Sequence, residues 1–505
     1  MPRVRFVLVL HAVLILLLAT ACPGKKETTD TAGTTGTDTA ATSTTSTSGG
    51  TSSFHPVPLP NPGIPGYNFP EPEPTIIAWT DANDQKAISL HAWGIWTALT
   101  TETTETFDSQ KLRVFETWQD PADLLGEGAG PTPAAATAAT SRVPRRLARP
   151  HQFQHRTARV GENESTVLAF VKYDPTAANH ILTNKLFSTT ALNQLMTDGQ
   201  TQVPNFPNTG VALKPVFQTL ASNQLVNGRY FLLTTWPGSP ALTQNTGTGM
   251  WDSKPFPQSA WGQCVWIDIQ AKGEGPGTGG VDTTCAANGS SRTDANTYSV
   301  DEFVHFQLTQ PEATLQNAEA SSQGSSAVAK AGDYSVLVAM HVTSREITRW
   351  TWQTFWWIPN PDQPTAPSSP AIAATRPAQL QGAPRNYAHC NAYSMEYPPQ
   401  PNTGGKNVGE SIYCFNPYLE APFDPSDLPD SIPGMTTVAN KQVKTPNNVG
   451  AQTNCMSCHG RANYNPNNLP TAPNYSGDRY VDLNDPAFKG TLKVDFLWSI
   501  PGNAK

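Results

Sequence analysis

The sequence is short of charge and of long apolar runs. Asp, Glu, Lys and Arg make up 14% of the 505 residues, well below the roughly 25% of an average soluble domain. The net charge of −7 is mild and no base-reading motif is present, so no nucleic-acid partner is expected. After residue 18 no segment approaches the ~20 consecutive apolar residues of a membrane span.

Cysteine is also sparse, at seven residues, and the first of them ends a secretory-type signal. Residues 1–5 form a basic head, and residues 6–18 are an apolar run that leads to Cys22. Residues 1–22 therefore resemble a bacterial lipoprotein signal, in which lipid is attached to the cysteine. Ala19 stands where such signals usually carry Leu, and an ordinary cleaved signal that releases a soluble periplasmic protein is the alternative. Pro23, where inner-membrane retention signals carry Asp, favours an outer-membrane anchor that faces the periplasm or the cell surface.

The rest of the chain divides by composition. Residues 23–75 are Thr/Ser-rich and then Pro-rich, which predicts a disordered tether. Residues 76–358 are predicted to form a β-rich globular body. Within it, residues 126–159 read as an inserted loop, and solvation explains its arginines better than a docking surface for an acidic redox partner. These arginines are Arg142, Arg145, Arg146, Arg149, Arg156 and Arg159.

Apolar segments bounded by Gly, Pro and Asn predict an α+β fold that is rich in β-structure. We expect a body built on an antiparallel sheet with long loops, followed by a partly helical C-terminal region at residues 385–505. Helical pattern is clearest at residues 87–99 and 180–196. The predicted strands are residues 112–118, 166–173, 230–236, 264–270, 303–308, 334–342 and 354–358. The aromatic run at 350–357 is interpreted as core packing, with the wall of a ligand pocket as the alternative.

The clearest chemistry lies at residues 455–459, which read C-x-x-C-H. On one helical turn the two cysteines can form thioethers with the two vinyl groups of one porphyrin, and the histidine is then placed beneath the iron. We therefore predict one covalent haem c, attached through Cys455 and Cys458, with His459 as the proximal iron ligand. The alternatives are a dithiol redox pair and half of a zinc site. A second ligand pair at finger-like spacing is missing, however, and polar residues precede the motif where a redox motif would follow a hydrophobic strand.

Export bears on the four remaining cysteines, because disulfides persist outside the cytoplasm. Proximity in the sequence suggests the pairs Cys264–Cys285 and Cys390–Cys414, although four cysteines allow three pairings and the sequence cannot choose among them. Closure of either loop is worth about 3 kcal/mol in the chain-entropy model. Four buried free thiols are the alternative.

No methionine or histidine follows His459. A second axial ligand must therefore come from upstream, come from another kind of side chain, or be absent. Met435 is the nearest upstream candidate, and a loop methionine without contact to iron is its alternative. A methionine ligand would raise the reduction potential relative to a second histidine, and an open position would let a small molecule bind. The other upstream candidates are Met395, His389, His341 and Met340.

Several short aromatic motifs accompany the C-x-x-C-H sequence, at residues 93–99, 114–118, 213–217, 341–344, 350–356 and 495–498. With these motifs the chain resembles a family of large, single-haem cytochrome c-like proteins of Gram-negative bacteria, over roughly residues 85–500. The resemblance implies haem binding through Cys455, Cys458 and His459, and electron transfer. It implies no substrate.

The sequence thus predicts an exported c-type cytochrome with one covalent haem that passes single electrons to a redox partner protein. Lipid on Cys22 would hold it at the membrane. Two alternatives stay open: an open-site haem enzyme or small-molecule sensor, and a surface binding protein in which haem is structural. A single C-x-x-C-H argues against a two-haem peroxidase, and no nucleotide, metal-cluster or nucleophile motif supports a self-contained enzyme.

Overall fold

The computed structural model describes residues 54–125, 146–147, 167–240, 255–322, 326–399, 409–422, 437–438, 441–442, 453–466 and 480–505. The predicted signal with Cys22, most of the predicted insert and Met435 lie outside these ranges. Among the described helices, none is both long and apolar enough to cross a membrane.

The predicted α+β fold class is confirmed, since helices and antiparallel sheets together build the body. The described helices are α1 (Glu73–Asp81), α2 (Gln85–Thr100), α3 (Pro121–Leu125), α4 (Pro175–Thr183), α5 (Thr189–Thr197), α6 (Gln310–Ser322), α7 (Pro370–Ala373), α8 (Pro417–Glu420), α9 (Cys455–Gly460) and α10 (Ser499–Asn503). The described strands are β1 (Glu102–Phe107), β2 (Gln110–Arg113), β3 (Val167–Ala169), β4 (Lys172–Tyr173), β5 (Val211–Leu220), β6 (Tyr230–Thr234), β7 (Cys264–Asp268), β8 (Thr297–Ser299), β9 (His305–Gln307), β10 (Tyr334–Ser344), β11 (Thr351–Trp357), β12 (Tyr387–Ala392), β13 (Glu396–Tyr397), β14 (Glu410–Ser411), β15 (Thr437–Val438), β16 (Lys441–Gln442), β17 (Asn463–Tyr464) and β18 (Leu492–Lys493).

A central antiparallel sheet has the strand order β12-β11-β10-β5-β3, with β4 also paired to β5 and β9 to β10. His341 of β10 lies opposite Lys214 of β5. Two residues along, Thr343 lies between Ala212 of β5 and Trp352 of β11. Directly opposed residues share a face, and faces alternate along a strand. These five side chains therefore form one wall, called here the sheet wall.

Most predicted elements are present, with shifted ends. The helix predicted at residues 87–99 is α2, and the strands predicted from residue 166 onward correspond to β3 with β4, β6, β7, β9, β10 and β11. Strand β5 is not predicted, because Pro215 stands in its middle and lacks an N–H group for the ladder. The neighbouring strand is accordingly interrupted between β3 and β4, where Phe170 donates its N–H to the carbonyl oxygen of Pro215 at 3.0 Å.

Two predicted elements are wrong in their extent. The single helix predicted at residues 180–196 is two helices, α4 and α5. Lys185 between them adopts a left-handed conformation (φ 52°), and the side chain of Ser188 caps α5. The strand predicted at residues 112–118 is shorter, since β2 ends at Arg113 and a 3-10 helix, Val114–Thr117, follows it.

The predicted tether ends too late, because residues 54–75 pack on the body. Phe54, Ile64 and Tyr67 are each at most 5% exposed. The ring of Tyr67 lies against α2 at Gly94, where an added Cβ would come within 2.1 Å of the ring, so glycine permits this approach. A few large apolar side chains are enough to pack this segment against the body. The average composition, which is dominated by proline, does not reveal them.

The C-terminal region is not a separate domain. The described residues from 54 onward belong to one compact unit, and β12 pairs with β11 in the central sheet. The proline-rich segment between these strands carries α7, where the carbonyl oxygen of Ile372 accepts a hydrogen bond from Trp93 Nε1 at 3.2 Å. The predicted boundary therefore crosses a shared core, because pairing between distant strands overrides local composition.

One arginine of the predicted solvated insert is buried. Arg146 donates from Nε and Nη2 to the two carboxylate oxygens of Glu312 on α6, at 2.9 and 2.7 Å. Its guanidinium lies 3.9 Å from the centre of the Phe306 ring. The solvated-loop interpretation is wrong for this residue, because its partner is 166 positions away in the sequence.

Candidate functional site

The C-x-x-C-H residues form the first turn of α9. Asn454 is the N-cap, and its side-chain oxygen accepts a hydrogen bond from the Ser457 N–H at 3.0 Å. Such a cap replaces a bond that the first turn of a helix lacks. Helical spacing puts Cys455, Cys458 and His459 on one side of α9. All three line the same cavity.

Helix α9 is tied to the edge of the central sheet through a disulfide. Cys414 is bonded to Cys390 of β12, and the Cys414 N–H donates to the carbonyl oxygen of Thr453 at 3.0 Å. The cap residue adds a second tie, since Asn454 Nδ2 donates to the carbonyl oxygen of Ile412 at 2.7 Å. The position of the helix therefore depends on residues that lie 40 or more positions earlier.

The structure pairs the four remaining cysteines as their sequence proximity suggests. Cys264 is bonded to Cys285, and Cys390 to Cys414, with Cα atoms 5.5 Å apart in both pairs, within the ordinary range for disulfides. The two cysteines of the C-x-x-C-H motif are free. Burial raises the pKa of both of their thiols, so both are protonated at neutral pH.

His459 is oriented by a backbone carbonyl group. Its Nδ1 lies 2.7 Å from the carbonyl oxygen of Phe496, so Nδ1 carries the proton and donates. Burial lowers the pKa of this imidazole to about 3, which keeps the ring neutral and leaves a lone pair on Nε2. Metal-ligating histidines are commonly held in this way through their other nitrogen. The ring of Trp352 lies 4.1 Å from that of His459, between centroids.

The cavity that these residues line contains about 1000 Å³ of space free of protein atoms, its open mouth included. The sheet wall forms one side. A largely apolar cavity with a few polar groups is typical of cofactor sites. The lining residues are Val171, Ala212, Leu213, Lys214, His341, Val342, Thr343, Trp352, Leu419, Glu420, Thr453, Cys455, Cys458, His459, Leu497, Trp498 and Ser499.

Three ionisable side chains, His341, Lys214 and Glu420, give this cavity a polar corner. Nε2 of His341 lies 2.9 Å from Oε1 of Glu420. The other oxygen, Oε2, accepts from the Asn416 N–H at 2.5 Å. Burial lowers the pKa of Lys214 to about 8, although nearby Glu420 raises it. In the described ranges, no group of three or more His, Cys, Asp or Glu side chains is arranged to hold a metal ion by itself.

Among the described upstream candidates for a second iron ligand, His341 lines the cavity and Met340, Met395 and His389 do not. Met340 is the neighbour of His341 on β10 and faces the other side of the sheet, because faces alternate along a strand. Met395 is buried beside α9, and its sulfur accepts from the Val481 N–H at 3.1 Å.

His389 is enclosed by aromatic rings on the far side of the sheet from His341. Its ring centroid lies 4.4 Å from that of Trp93 and 5.3 Å from that of Phe355. Neither ring nitrogen has a hydrogen-bond partner among the described residues. Burial lowers the pKa of this imidazole to about 3, so it is a neutral core residue.

The sequence points to some lining residues and misses others. The aromatic run lies in β11 and is buried, in agreement with the core-packing interpretation, yet Trp352 also lines the cavity. Glu420 and Thr453 carry no motif or periodicity that marks them. Glu420 meets His341 across 79 positions, a contact that only the packing of α8 against β10 creates.

Comparisons of the chain with protein-family models, curated proteins and solved structures found no match. The assignment of the site therefore rests on its own residues and geometry.

Proposed function

We propose that this chain is an exported c-type cytochrome that holds one haem through Cys455 and Cys458 and transfers single electrons. The observation that carries the proposal is the placement of the C-x-x-C-H residues. Two free thiols and an oriented imidazole line one largely apolar cavity. A chance C-x-x-C-H sequence has no reason to begin a capped helix beside such a cavity, or to have a carbonyl acceptor for Nδ1 of its histidine.

The residues around the cavity fit a porphyrin. Apolar side chains such as Leu497 and Trp352 exclude water from it. Cys455 and Cys458 would hold the group covalently, and His459 would bind the iron through Nε2 while its Nδ1 stays bonded to the protein backbone. When bound, haem supplies a one-electron iron couple whose potential depends on the axial ligands, on hydrogen bonds to them and on burial.

Attachment through these cysteines needs no oxidant. The S–H bond of each cysteine would add across one vinyl group, so that a C–S bond would form and the hydrogen would go to the neighbouring vinyl carbon. Both thiols must be reduced for this addition, as they are here. The other four cysteines of the body are held in disulfides and do not compete.

The proposal places the protein outside the cytoplasm, where c-type haem is attached and disulfides persist. The signal-like residues 1–22 support export, and Cys22 supports a lipid anchor at the outer membrane. With one haem, the chain needs a separate redox partner protein to give or take its electron.

A second candidate function is a haem enzyme or small-molecule sensor with an open iron position. His341, Lys214 and Glu420 favour it, because a few polar side chains in an apolar cavity are the usual means of orienting a bound molecule. Carbon monoxide separates the two functions, since a six-coordinate electron carrier resists the gas and an open iron binds it.

The test is expression of the full chain with a c-type haem attachment system, followed by haem staining on a denaturing gel. We expect stain on the wild type and none on the Cys455→Ala/Cys458→Ala variant. The control, Cys264→Ala/Cys285→Ala, removes the same number of cysteines elsewhere and should keep the stain. An unstained wild type would overturn haem attachment. A stained protein that cannot be reversibly reduced in a spectroelectrochemical titration would overturn electron transfer.

A further inference from the structure

We propose that His341 is the second protein ligand of the haem iron and that Glu420 positions it. This inference rests on the proposed function and deepens it, because it states whether a protein side chain fills the sixth coordination position of the iron. It comes from the cavity itself: His341 and His459 line it together, His341 from β10 in the sheet wall and His459 from α9.

The hydrogen bond of His341 defines its free nitrogen. Oε1 of Glu420 can only accept, so the nitrogen 2.9 Å from it, Nε2, donates. In the neutral ring, Nδ1 then carries the lone pair. His459 has the complementary arrangement, with Nδ1 donating to a carbonyl oxygen and Nε2 left with the lone pair. Each imidazole in the cavity therefore has one nitrogen held by an oxygen and one available to a metal, which is the usual arrangement of metal-ligating histidines.

Glu420 is itself held in place. Its Oε2 accepts the N–H of Asn416 at the start of α8. The Asn416 side chain donates to the Thr354 hydroxyl oxygen of β11 at 2.7 Å, opposite His341 in the sheet register. The carboxylate is thus fixed to the strand beside the one that carries His341. An imidazole on a strand, restrained in this way, loses little conformational entropy on binding a metal.

Among the described residues that line the cavity, Lys214 is the strongest rival, because it lies opposite His341 in the sheet register. Its ammonium group sits on a stem with four rotatable bonds, and it must lose a proton before it can bind iron. His341 has a shorter side chain with two rotatable bonds, and its Nδ1 is not used in the bond to Glu420. The test therefore includes a variant of each residue.

The experiment uses the haem-loaded full chain. Optical and electron paramagnetic resonance spectra are recorded for the oxidised and reduced protein, with and without carbon monoxide. The wild type and Lys214→Leu should be low-spin and unmoved by the gas. His341→Ala should lose the low-spin spectrum and bind carbon monoxide, and added imidazole should restore the low-spin form. His341→Met, as the second variant, should stay six-coordinate with a raised midpoint potential, since a thioether favours reduced iron.

Glu420→Gln tests the positioning role. It should remain low-spin but show a midpoint potential above that of the wild type. The reason is that an amide oxygen accepts a weaker hydrogen bond from the imidazole N–H than a carboxylate does, which leaves the imidazole a less basic ligand. An unchanged potential would remove Glu420 from the proposal.

Failure of this inference is distinguishable from failure of the proposed function. Haem stain in the wild type and in His341→Ala, with a low-spin, gas-resistant spectrum in both, would overturn His341 as ligand and leave the cytochrome proposal standing. Loss of the low-spin spectrum in Lys214→Leu and not in His341→Ala would assign the ligand to Lys214. An unstained wild type would overturn both proposals.

Discussion

The carbonyl oxygen of Phe496 lies 2.7 Å from Nδ1 of His459, and it is presented by two consecutive residues in the left-handed region. Asp495 has φ 47° and Phe496 has φ 69°, a conformation that side-chain-bearing residues rarely adopt. Asp495 is held by Arg345, whose Nε donates to its Oδ2 at 3.1 Å. Such backbone persists only where its surroundings enforce it. This ion pair, with the Phe206 N–H that donates to the same oxygen at 2.9 Å, is part of those surroundings.

Asp495→Asn should therefore destabilise the protein and loosen the proximal histidine. Asp495 and Arg345 have side chains only 1% and 9% exposed. Loss of the carboxylate charge leaves a buried guanidinium uncompensated, a change that typically costs about 3 kcal/mol or more of unfolding free energy. Urea unfolding of the haem-loaded protein measures this loss, and a shifted midpoint potential would report the altered hydrogen bond to His459.

The control for this substitution is Glu102→Gln on β1. Glu102 lies 3.7 Å from Lys111 in a pair with side chains 53% and 68% exposed, where loss of the pair should cost less than about 1 kcal/mol. Equal losses for the buried and exposed variants would contradict the role given to Asp495.

The two disulfides offer a matched pair of variants. Their sequence separations, 21 for Cys264–Cys285 and 24 for Cys390–Cys414, are nearly equal, so removing either one should cost about 3 kcal/mol through loop entropy. Cys414 is hydrogen-bonded to α9 and to the residues just before it: its N–H donates to Thr453, and its carbonyl oxygen lies 3.1 Å from Cys455 Sγ. We expect Cys390→Ala/Cys414→Ala, and not Cys264→Ala/Cys285→Ala, to lower the yield of covalent haem. Quantitative haem staining per unit of protein measures it, and equal yields would show that the disulfide does not support the attachment helix.

Acid should weaken the fold through His389. Burial, together with the charge of Arg376, lowers its pKa from 6.5 to about 3, so between these values the unfolded chain binds a proton that the folded protein does not. The unfolding free energy then falls as the pH decreases below 6.5, by at most about 1.4 kcal/mol per pH unit from this residue. His389→Leu should flatten the dependence of urea stability on pH over that window.

His55→Gln is the control for the acid experiment, because it removes an imidazole whose side chain is 83% exposed. Its stability curve should run parallel to that of the wild type. If the His389→Leu curve also ran parallel, His389 would not be the residue that couples folding to pH.

Local patterns predict local structure well in this chain. The spacing of Cys455, Cys458 and His459 places them on one side of a helical turn, and the apolar runs of β10 and β11 are found as strands. Pro215 hides β5 from a prediction based on sequence, because a proline lacks the N–H group that a strand in mid-sheet normally donates. In the structure β5 is continuous, and the partner strand is interrupted between β3 and β4 beside Pro215. Composition also gives a wrong prediction for residues 54–75, which it predicts to be disordered. A few side chains in this range are buried and hold it against the body despite the many prolines.

The sequence by itself determined the haem-attachment chemistry that we propose, because thiols and imidazole at i, i+3 and i+4 need only one turn of helix to act together. Only the tertiary structure decided what faces that turn. His341, Lys214 and Glu420 come from separate segments, and sheet register together with the contact between α8 and β10 brings them to one cavity. The physical reason is that register is set by the sum of many contacts between strands far apart in the chain, whereas a helical turn is set by its own neighbouring residues.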